Sequence, residues 1–358
     1  MRILAIETSC DETGAAVVEK EANKPSVTIL SNSLATSLAL HKTTGGIIPE
    51  NAAREQVKYI LPVIIEALLG SVNQKPSDDF KKDQERCRVV LRDSIDAIAV
   101  TYGPGLIGSL LVGVETAKTL AYVFDKPLIP VNHLLAHLYA NTIDSEAYQS
   151  ITFPFIGLIV SGGHTDLLLF TSHDTFQWLG GTRDDAAGEA FDKIGRMLGL
   201  SYPAGPEIDK RAKKIVKADL LFKSPLLHSD DLDFSFSGLK TEVMRFVQKQ
   251  KKLPEEHIDE ICHATQKAIV DVLVAKTIKA ALEHNAKTIV VGGGVSANSY
   301  LREMMNKKVK EKMGDIPVSF PLPKYSTDNG AAIGAYALFH PGPHDIFQVT
   351  AQPELYLT

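Results

Sequence analysis

The sequence predicts an α/β protein built from one unit used twice, as two domains facing each other across a cleft. Three observations predict it. The chain has 358 residues, too many for one ordinary hydrophobic core. Short apolar runs of strand length alternate with longer segments whose apolar residues recur at helical spacing. Both halves open on a strand, a polar loop and a returning strand: "RILAIE", "TSCDETG", "AAVVE" in the first, and "FPFIGLIV", "SGGHTD", "LLLFTS" in the second.

Taken in order, "RILAIE" is a short apolar strand and "AAVVE" its return after a polar loop, with "SVTILSN" a third strand. "AAREQVKYILPVIIEALL" repeats apolar residues every three or four places, so a helix follows. "IDAIAV" is a strand, "YGPGLIG" a glycine-rich turn, "SLLVGVETAKTLAYVF" a helix and "KPLIPV" the next strand. In the second half, helices are expected at "DDAAGEAFDKIGRML" and "ICHATQKAIVDVLVAKTIKAALEHN". The buried strand "AKTIVV" feeds "GGGVSAN"; the helix "SYLREMMNKKVKEK", the strand "IPVSFPL" and a last helix, "NGAAIGAYALF", complete the series. The division expected is 1–132 and 133–327, with 328–340 packing back on the first domain. Residues 71–93 are polar and charged and read as an exposed insertion, and 213–255 mixes basic runs with "LDFSFSGLKTEV".

Composition excludes several classes. With 44% hydrophobic and 23% charged residues the chain is neither disordered nor fibrous. A net charge of -5 excludes a simple polycation coating nucleic acid. Three scattered cysteines, Cys10, Cys87 and Cys262, make no disulfide framework and no zinc-finger spacing. The N-terminus shows no basic-then-apolar leader, and the most apolar long run contains Glu115 and Lys118. A soluble cytoplasmic protein with no membrane partner is expected.

Several motifs carry chemistry. In "IPVNHLLAHLYA", His133 and His137 are four apart and share a helix face, so both rings can reach one ion or both can simply pack. The protease motif H-E-x-x-H would need Glu where Leu134 stands. A metal would want a third ligand, and Asp328 in "YSTDNGAAIG" offers one; it could equally complement the dipole of the helix that begins there. "VSGGH" and "VVGGGVSAN" each follow an apolar strand, and their amides could cradle a phosphate or merely form tight turns. Neither is a Walker loop, but two such turns in corresponding places favour a nucleotide in the cleft. Asp11 and Glu12, in a hairpin loop, could act as acid and base or form a solvated turn. The basic runs Lys213–Lys217, Lys249–Lys252 and Lys307–Lys312 could touch phosphates or be solvated helix faces.

Together, "IETSCDET", "GGIIPE", "TYGPGLIGSLLVG", "NHLLAH", "VSGGHT", "DDAAGEAFDK", "FSFSGLKT", "GGGVSAN" and "STDNGAAIGAYA" resemble the TsaD family of tRNA threonylcarbamoyladenosine transferases, formerly called O-sialoglycoprotein endopeptidases. The match runs in order from about residue 3 to residue 337, and "DDAAGEAFDK" resembles the bacterial branch. The resemblance implies a duplicated actin/Hsp70/sugar-kinase-like (ASKHA) fold. It implies transfer of threonylcarbamoyl from threonylcarbamoyl-adenylate (threonylcarbamoyl-AMP) to the N6 amine of the adenosine 3′ of the anticodon in tRNAs reading ANN codons. It implies one divalent metal, iron(II) or zinc, on His133, His137 and Asp328. It places the adenylate, or ATP or ADP in the same cleft, against Ile159, Val160, Ser161, Gly162, Gly163, Asp192, Gly205, Asp209 and Asn298. Asp11 and Glu12 would face the reacting end as proton carriers. The partners implied are tRNA, a degenerate TsaB-like paralogue and a small TsaE-like ATPase, with the adenylate supplied by a separate synthase. Two departures stand out: Ala204 where many relatives carry glycine, and the longer 71–93 segment. The alternative on the same fold is an ATPase or small-molecule kinase, which has no need of the histidine pair.

Overall fold

A computed structural model describes residues 1–21, 26–37, 47–144, 151–215, 219–250, 253–342 and 344–357. Gly45 and Gly46 of "GGIIPE", and Lys217, Lys251 and Lys252 of the basic runs, lie outside the described residues. The chain divides into two compact units, 1–149 with 327–358, and 150–326. The division expected at 132/133 falls inside the first unit, because the helix that follows it packs on the last strand and last helix of that unit.

The first unit holds a five-stranded sheet in the order β3-β2-β1-β4-β5. Its strands are β1 (Arg2–Glu7), β2 (Glu12–Glu19), β3 (Thr28–Thr36), β4 (Ala97–Gly103) and β5 (Leu128–Asn132). β1 pairs antiparallel with β2, Glu7 opposite Gly14, and parallel with β4. Both faces of the central strands are buried, which explains their nearly unbroken apolar runs. One face packs on α1 (Pro49–Gly70), α2 (Phe80–Ser94) and α3 (Ile107–Phe124). The segment read as an exposed insertion is therefore only partly one. Asp79 caps α2 by accepting from the amides of Lys81 and Lys82, and Cys87, Val90 and Leu91 are buried against α1. The polar composition concealed three core positions spaced along one helix face.

The other face carries α4 (His133–Tyr139) and α10 (Gly330–Phe339). A Cβ on Gly330 would stand 2.7 Å from the Ala16 amide nitrogen. Only glycine lets this helix lie so close to β2. α3 is the one described helix long and apolar enough to cross a membrane, and Leu110, Val114, Ala117 and Ala121 along it are buried against the sheet.

The second unit repeats the plan. Its strands are β6 (Phe155–Val160), β7 (Thr165–Phe170), β8 (Phe176–Gly181), β9 (Thr288–Gly292) and β10 (Val318–Ser319), in the order β8-β7-β6-β9-β10. β6, β7 and β8 form an antiparallel meander, and β9 and β10 extend the sheet in parallel. The two orders match strand for strand, the hallmark of a duplicated unit. Helices α5 (Ala187–Met197), α6 (Gly205–Ala212), α7 (Ser237–Gln248), α8 (Glu255–Glu283) and α9 (Ser299–Met313) enclose a single core around Phe191, Phe234 and Phe236. Sequence reading did not single out β8, α6 or α7. Asp184 explains α7: its carboxylate accepts from the Phe236 and Ser237 amides and from the Ser235 and Ser237 hydroxyls, so the helix is started from a distant loop.

Candidate metal centre and nucleotide-binding turns

His133 and His137 stand on α4, which Asn132 starts by accepting from the Leu134 and Leu135 amides. Both side chains are buried, so they are held inside the unit rather than solvated. Asp328 lies two residues before α10, whose first turn is capped by Asn329 accepting from Ala332. Seating α10 on β2 brings that carboxylate to α4. His133 Nε2 is 3.6 Å and His137 Nε2 3.5 Å from Asp328 Oδ1.

One ligand atom from each of the three lies within 4.8 Å of the others, a possible metal site. A tetrahedral ion with bonds of about 2.1 Å holds its ligands about 3.4 Å apart. The two nitrogen–oxygen separations fit that spacing. Two imidazoles and one carboxylate suit iron or zinc better than calcium or magnesium, which prefer all-oxygen sets.

A second layer stands behind the histidines. Glu7 ends β1, fully buried, with Oε2 3.2 Å from His133 Nδ1. Its carboxylate also accepts from the Ser9 amide at 2.5 Å and the Thr101 hydroxyl at 2.6 Å. Burial pushes Glu7 up, but the His133 charge and these hydrogen bonds outweigh it and hold its carboxyl at about 2. Burial pulls His133 down, yet Asp328 and Glu7 raise it to about 9. Burial lifts Asp328 to about 6. Without an ion, a proton on His133 offsets the surrounding acids; a divalent cation would take over that role.

Asp11 and Glu12 belong to the same neighbourhood. Asp11 is buried in the turn and Glu12 is the first residue of β2 rather than a loop residue. Burial, then Asp328, then Asp11 push Glu12 well above the usual carboxylate range. Gln56 on α1 clamps their turn, its Nε2 donating to the carbonyls of Cys10 at 3.0 Å and Glu12 at 2.9 Å. Ser109 Oγ adds a bond to the Cys10 carbonyl. Burial and the nearby acids raise the Cys10 thiol well above normal, which disfavours its thiolate.

The residues expected to meet an adenylate lie in the second unit, and the structure divides them. Ile159 and Val160 are buried in β6, the strand that leads into the turn. Ser161, Gly162 and Gly163 follow at the end of β6, and a Cβ added on either glycine would meet nothing within 4 Å. Gly293 has φ +93° and its Cβ would stand 2.4 Å from the Val160 carbonyl. The two glycine turns are therefore neighbours at the ends of parallel strands β6 and β9, the common ligand-binding edge of α/β sheets. Gly188, near the start of α5, touches the same turn, and its amide donates to the Ser161 carbonyl.

Asp192 accepts from the Ala204 amide, which sets the approach to α6, where Gly205 is the first residue. The Ala204 methyl is buried over Gly195 and not beside open space. Asp209 accepts from Ser299 and pairs with Lys213. Asn298 caps α9 through its oxygen and donates to Gln266 through its amide. Asp192, Asp209 and Asn298 thus each do framework work. Sequence reading missed Glu7, Gln56 and Gly188, although the first and last stand inside quoted motifs. The signal that could have found Glu7 was a carboxylate closing an otherwise apolar strand. Three lysines of the basic runs are engaged in ion pairs, Lys213 with Asp209, Lys214 with Asp259 and Lys308 with Glu311.

A family model described as TsaD, tRNA N6-adenosine threonylcarbamoyltransferase, matches residues 85–335. A protein of Moorella thermoacetica named tRNA N6-adenosine threonylcarbamoyltransferase is 43% identical over 94% of this chain and 91% of its own length. A protein of the same name from Thermosipho africanus is 44% identical over 99% of each. Among solved structures, full-length HypF in its phosphate- and nucleotide-bound form matches with a TM-score of 0.57 and 13% identity, over 95% of this chain and 55% of that one. HypF of T. kodakarensis matches with a TM-score of 0.57 and 14% identity, over 94% of this chain and 47% of that one. This chain spans about half the length of both structures. At such identities the likeness is one of fold, the duplicated actin/Hsp70/sugar-kinase-like architecture.

Proposed function

The chain belongs to the TsaD family of tRNA N6-adenosine threonylcarbamoyltransferases, and from that premise we propose how its residues divide the work. It is a transferase of tRNA modification that places a threonylcarbamoyl group on N6 of adenosine. In this reading the donor is threonylcarbamoyl-adenylate and the acceptor is the adenosine 3′ of the anticodon in tRNAs reading ANN codons. An exocyclic aromatic amine is a poor nucleophile, so the acyl group must carry a good leaving group. N6 attacks the carbamoyl carbon and the new N–C bond forms. The bond from that carbon to the phosphate oxygen breaks, AMP leaves with the electron pair, and N6 releases one proton.

The observation that carries the reading is the convergence of His133, His137 and Asp328. Iron(II) or zinc bound there would supply a Lewis acid for the carbamoyl oxygen. His133, His137 and Asp328 would hold that ion, and the chemistry it would supply there is acyl activation rather than hydrolysis. Leu134 stands where a protease needs its Glu. A kinase or ATPase on the same fold is not favoured, since phosphate transfer has no use for two buried histidines.

The amides of Ser161–Gly163 and of the 292–294 turn hold phosphate and adenosine, and ATP or ADP would occupy the same turns. Ile159, Val160, Asp192, Gly205, Asp209 and Asn298 shape that pocket from behind. Asp11 and Glu12 receive and pass on the N6 proton. The partners in this reading are a TsaB-like paralogue and a TsaE-like ATPase, with a separate synthase making the adenylate, all in the cytoplasm.

The test supplies synthetic threonylcarbamoyl-adenylate and an unmodified tRNA transcript, with the partner proteins added or omitted. The modified nucleoside appears on digestion and mass spectrometry; its absence in every combination would sink the reading. Asp11→Ala should slow single-turnover transfer by about 10²-fold or more, the usual contribution of a positioned proton carrier. An unchanged rate removes that assignment.

A further inference from the structure

We propose that Glu7 is the positioning residue of the metal centre: its carboxylate fixes the His133 ring with the proton on Nδ1 and Nε2 turned to the ion. The proposal rests on the metal reading above and names a residue to which that reading gives no part.

The argument is one of hydrogen-bond roles. A backbone N–H can only donate, and the Ser9 amide points at Glu7 Oε1 at 2.5 Å. The Thr101 hydroxyl donates to Oε2 at 2.6 Å. Both oxygens of Glu7 are therefore acceptors, and Oε2 is also the atom 3.2 Å from His133 Nδ1. Only an Nδ1–H can face it. A neutral imidazole protonated at Nδ1 has its lone pair on Nε2. Nε2 is the atom that faces Asp328 at 3.6 Å.

The support is rigid as well as suitably charged. Glu7 ends β1 and Thr101 lies on the adjacent parallel strand β4. Glu7 is 1% exposed and Thr101 0%. A buried carboxylate needs a cationic or strongly donating neighbour, and the imidazole provides one. A carboxylate hydrogen-bonded to a ligating histidine orients the ring and raises its basicity.

Glu7→Gln separates this role from mere packing, because it keeps size and shape. With its oxygen toward His133, the amide NH2 meets the Ser9 N–H, two donors face to face. With its NH2 toward His133, it favours the wrong tautomer, proton on Nε2. The experiment titrates zinc alone into the apoprotein against a fluorescent chelator, for wild type, Glu7→Gln and His133→Ala. Zinc affinity in Glu7→Gln should fall about 10- to 100-fold, the usual effect of losing an outer-shell partner, with the fold checked by circular dichroism. Unchanged affinity overturns the Glu7 assignment and leaves the metal reading intact. Failure of the wild type to take up zinc or iron(II) overturns the metal reading itself. Should Glu7→Gln not fold, long-range ¹H–¹⁵N spectra of zinc-loaded wild type decide: His133 protonated at Nδ1 supports the proposal, and protonation at Nε2 overturns it.

Discussion

His133 and His137 are one helical turn apart, and their spacing was legible as a pair able to share an ion. What the pair does was not legible, because the same spacing serves packed histidines equally well. The missing information is Asp328, some 190 residues later, whose carboxylate reaches 3.5 Å from His137. We predict that His137→Ala abolishes zinc binding in the chelator titration. We also predict that it lowers transfer by about 10²-fold or more, the several kcal/mol a Lewis acid contributes. Retained activity with no bound metal would count against the centre. Glu7 was hidden for the opposite reason. A carboxylate at the end of "RILAIE" reads as the strand's exposed end, whereas the fold buries it beneath β4 and α4. Asn298, Asp192 and Asp209 have a local role that no sequence pattern states. They carry the family's motif positions, yet their polar atoms hold helix ends and turns together.

Among the elements, long periodic helices and buried strands were readable because burial leaves a periodic pattern. Short pieces were not. α6 has eight residues, led by Gly205 and Pro206, and α7 depends on the Asp184 carboxylate for its first turn. β8 ends in two glycines against the loop at Leu232 and Asp233, a contact no local propensity encodes. Two predictions belong here. In Gly188→Ala the new methyl would stand 2.5 Å from the Ser161 carbonyl and 2.8 Å from Gly162 Cα. The backbone must shift, so affinity for a non-hydrolysable adenylate analogue should fall about tenfold or more, while zinc affinity stays at the wild-type value. Equal affinity for the analogue would argue against the glycine turn as the phosphate site. Gln56→Ala removes the clamp on the Cys10 and Glu12 carbonyls and leaves buried acceptors open. The expected loss is about 1–3 kcal/mol of stability, read from urea unfolding, together with slower transfer as the Asp11 turn loosens. A variant as stable and as active as wild type would show that α3 and its Ser109 hold the turn alone.

For the molecule as a whole, the duplication was visible in the two strand–loop–strand openings, and the matching strand orders bear it out. The net charge of -5 argues that tRNA is not held by a general electrostatic coat. Tight tRNA binding is therefore expected to need a local basic patch or basic surface from partner proteins, and the second source is open to test. Fluorescence anisotropy should show the affinity of this chain for tRNA rising at least about tenfold when the paralogue and the ATPase are added, with a steeper salt dependence. Equal affinity alone and in complex would reject that division. By itself the sequence determined the class of fold and the repeat, and it named the candidate motifs, since periodic burial and rare residue spacings are local records. The tertiary structure alone decided which of those residues meet. Close packing of a glycine helix on β2 sets Asp328 beside α4, and pairing of β1 with β4 buries Glu7 behind His133. Contacts between segments distant in the chain follow from packing, and no local pattern of residues states them.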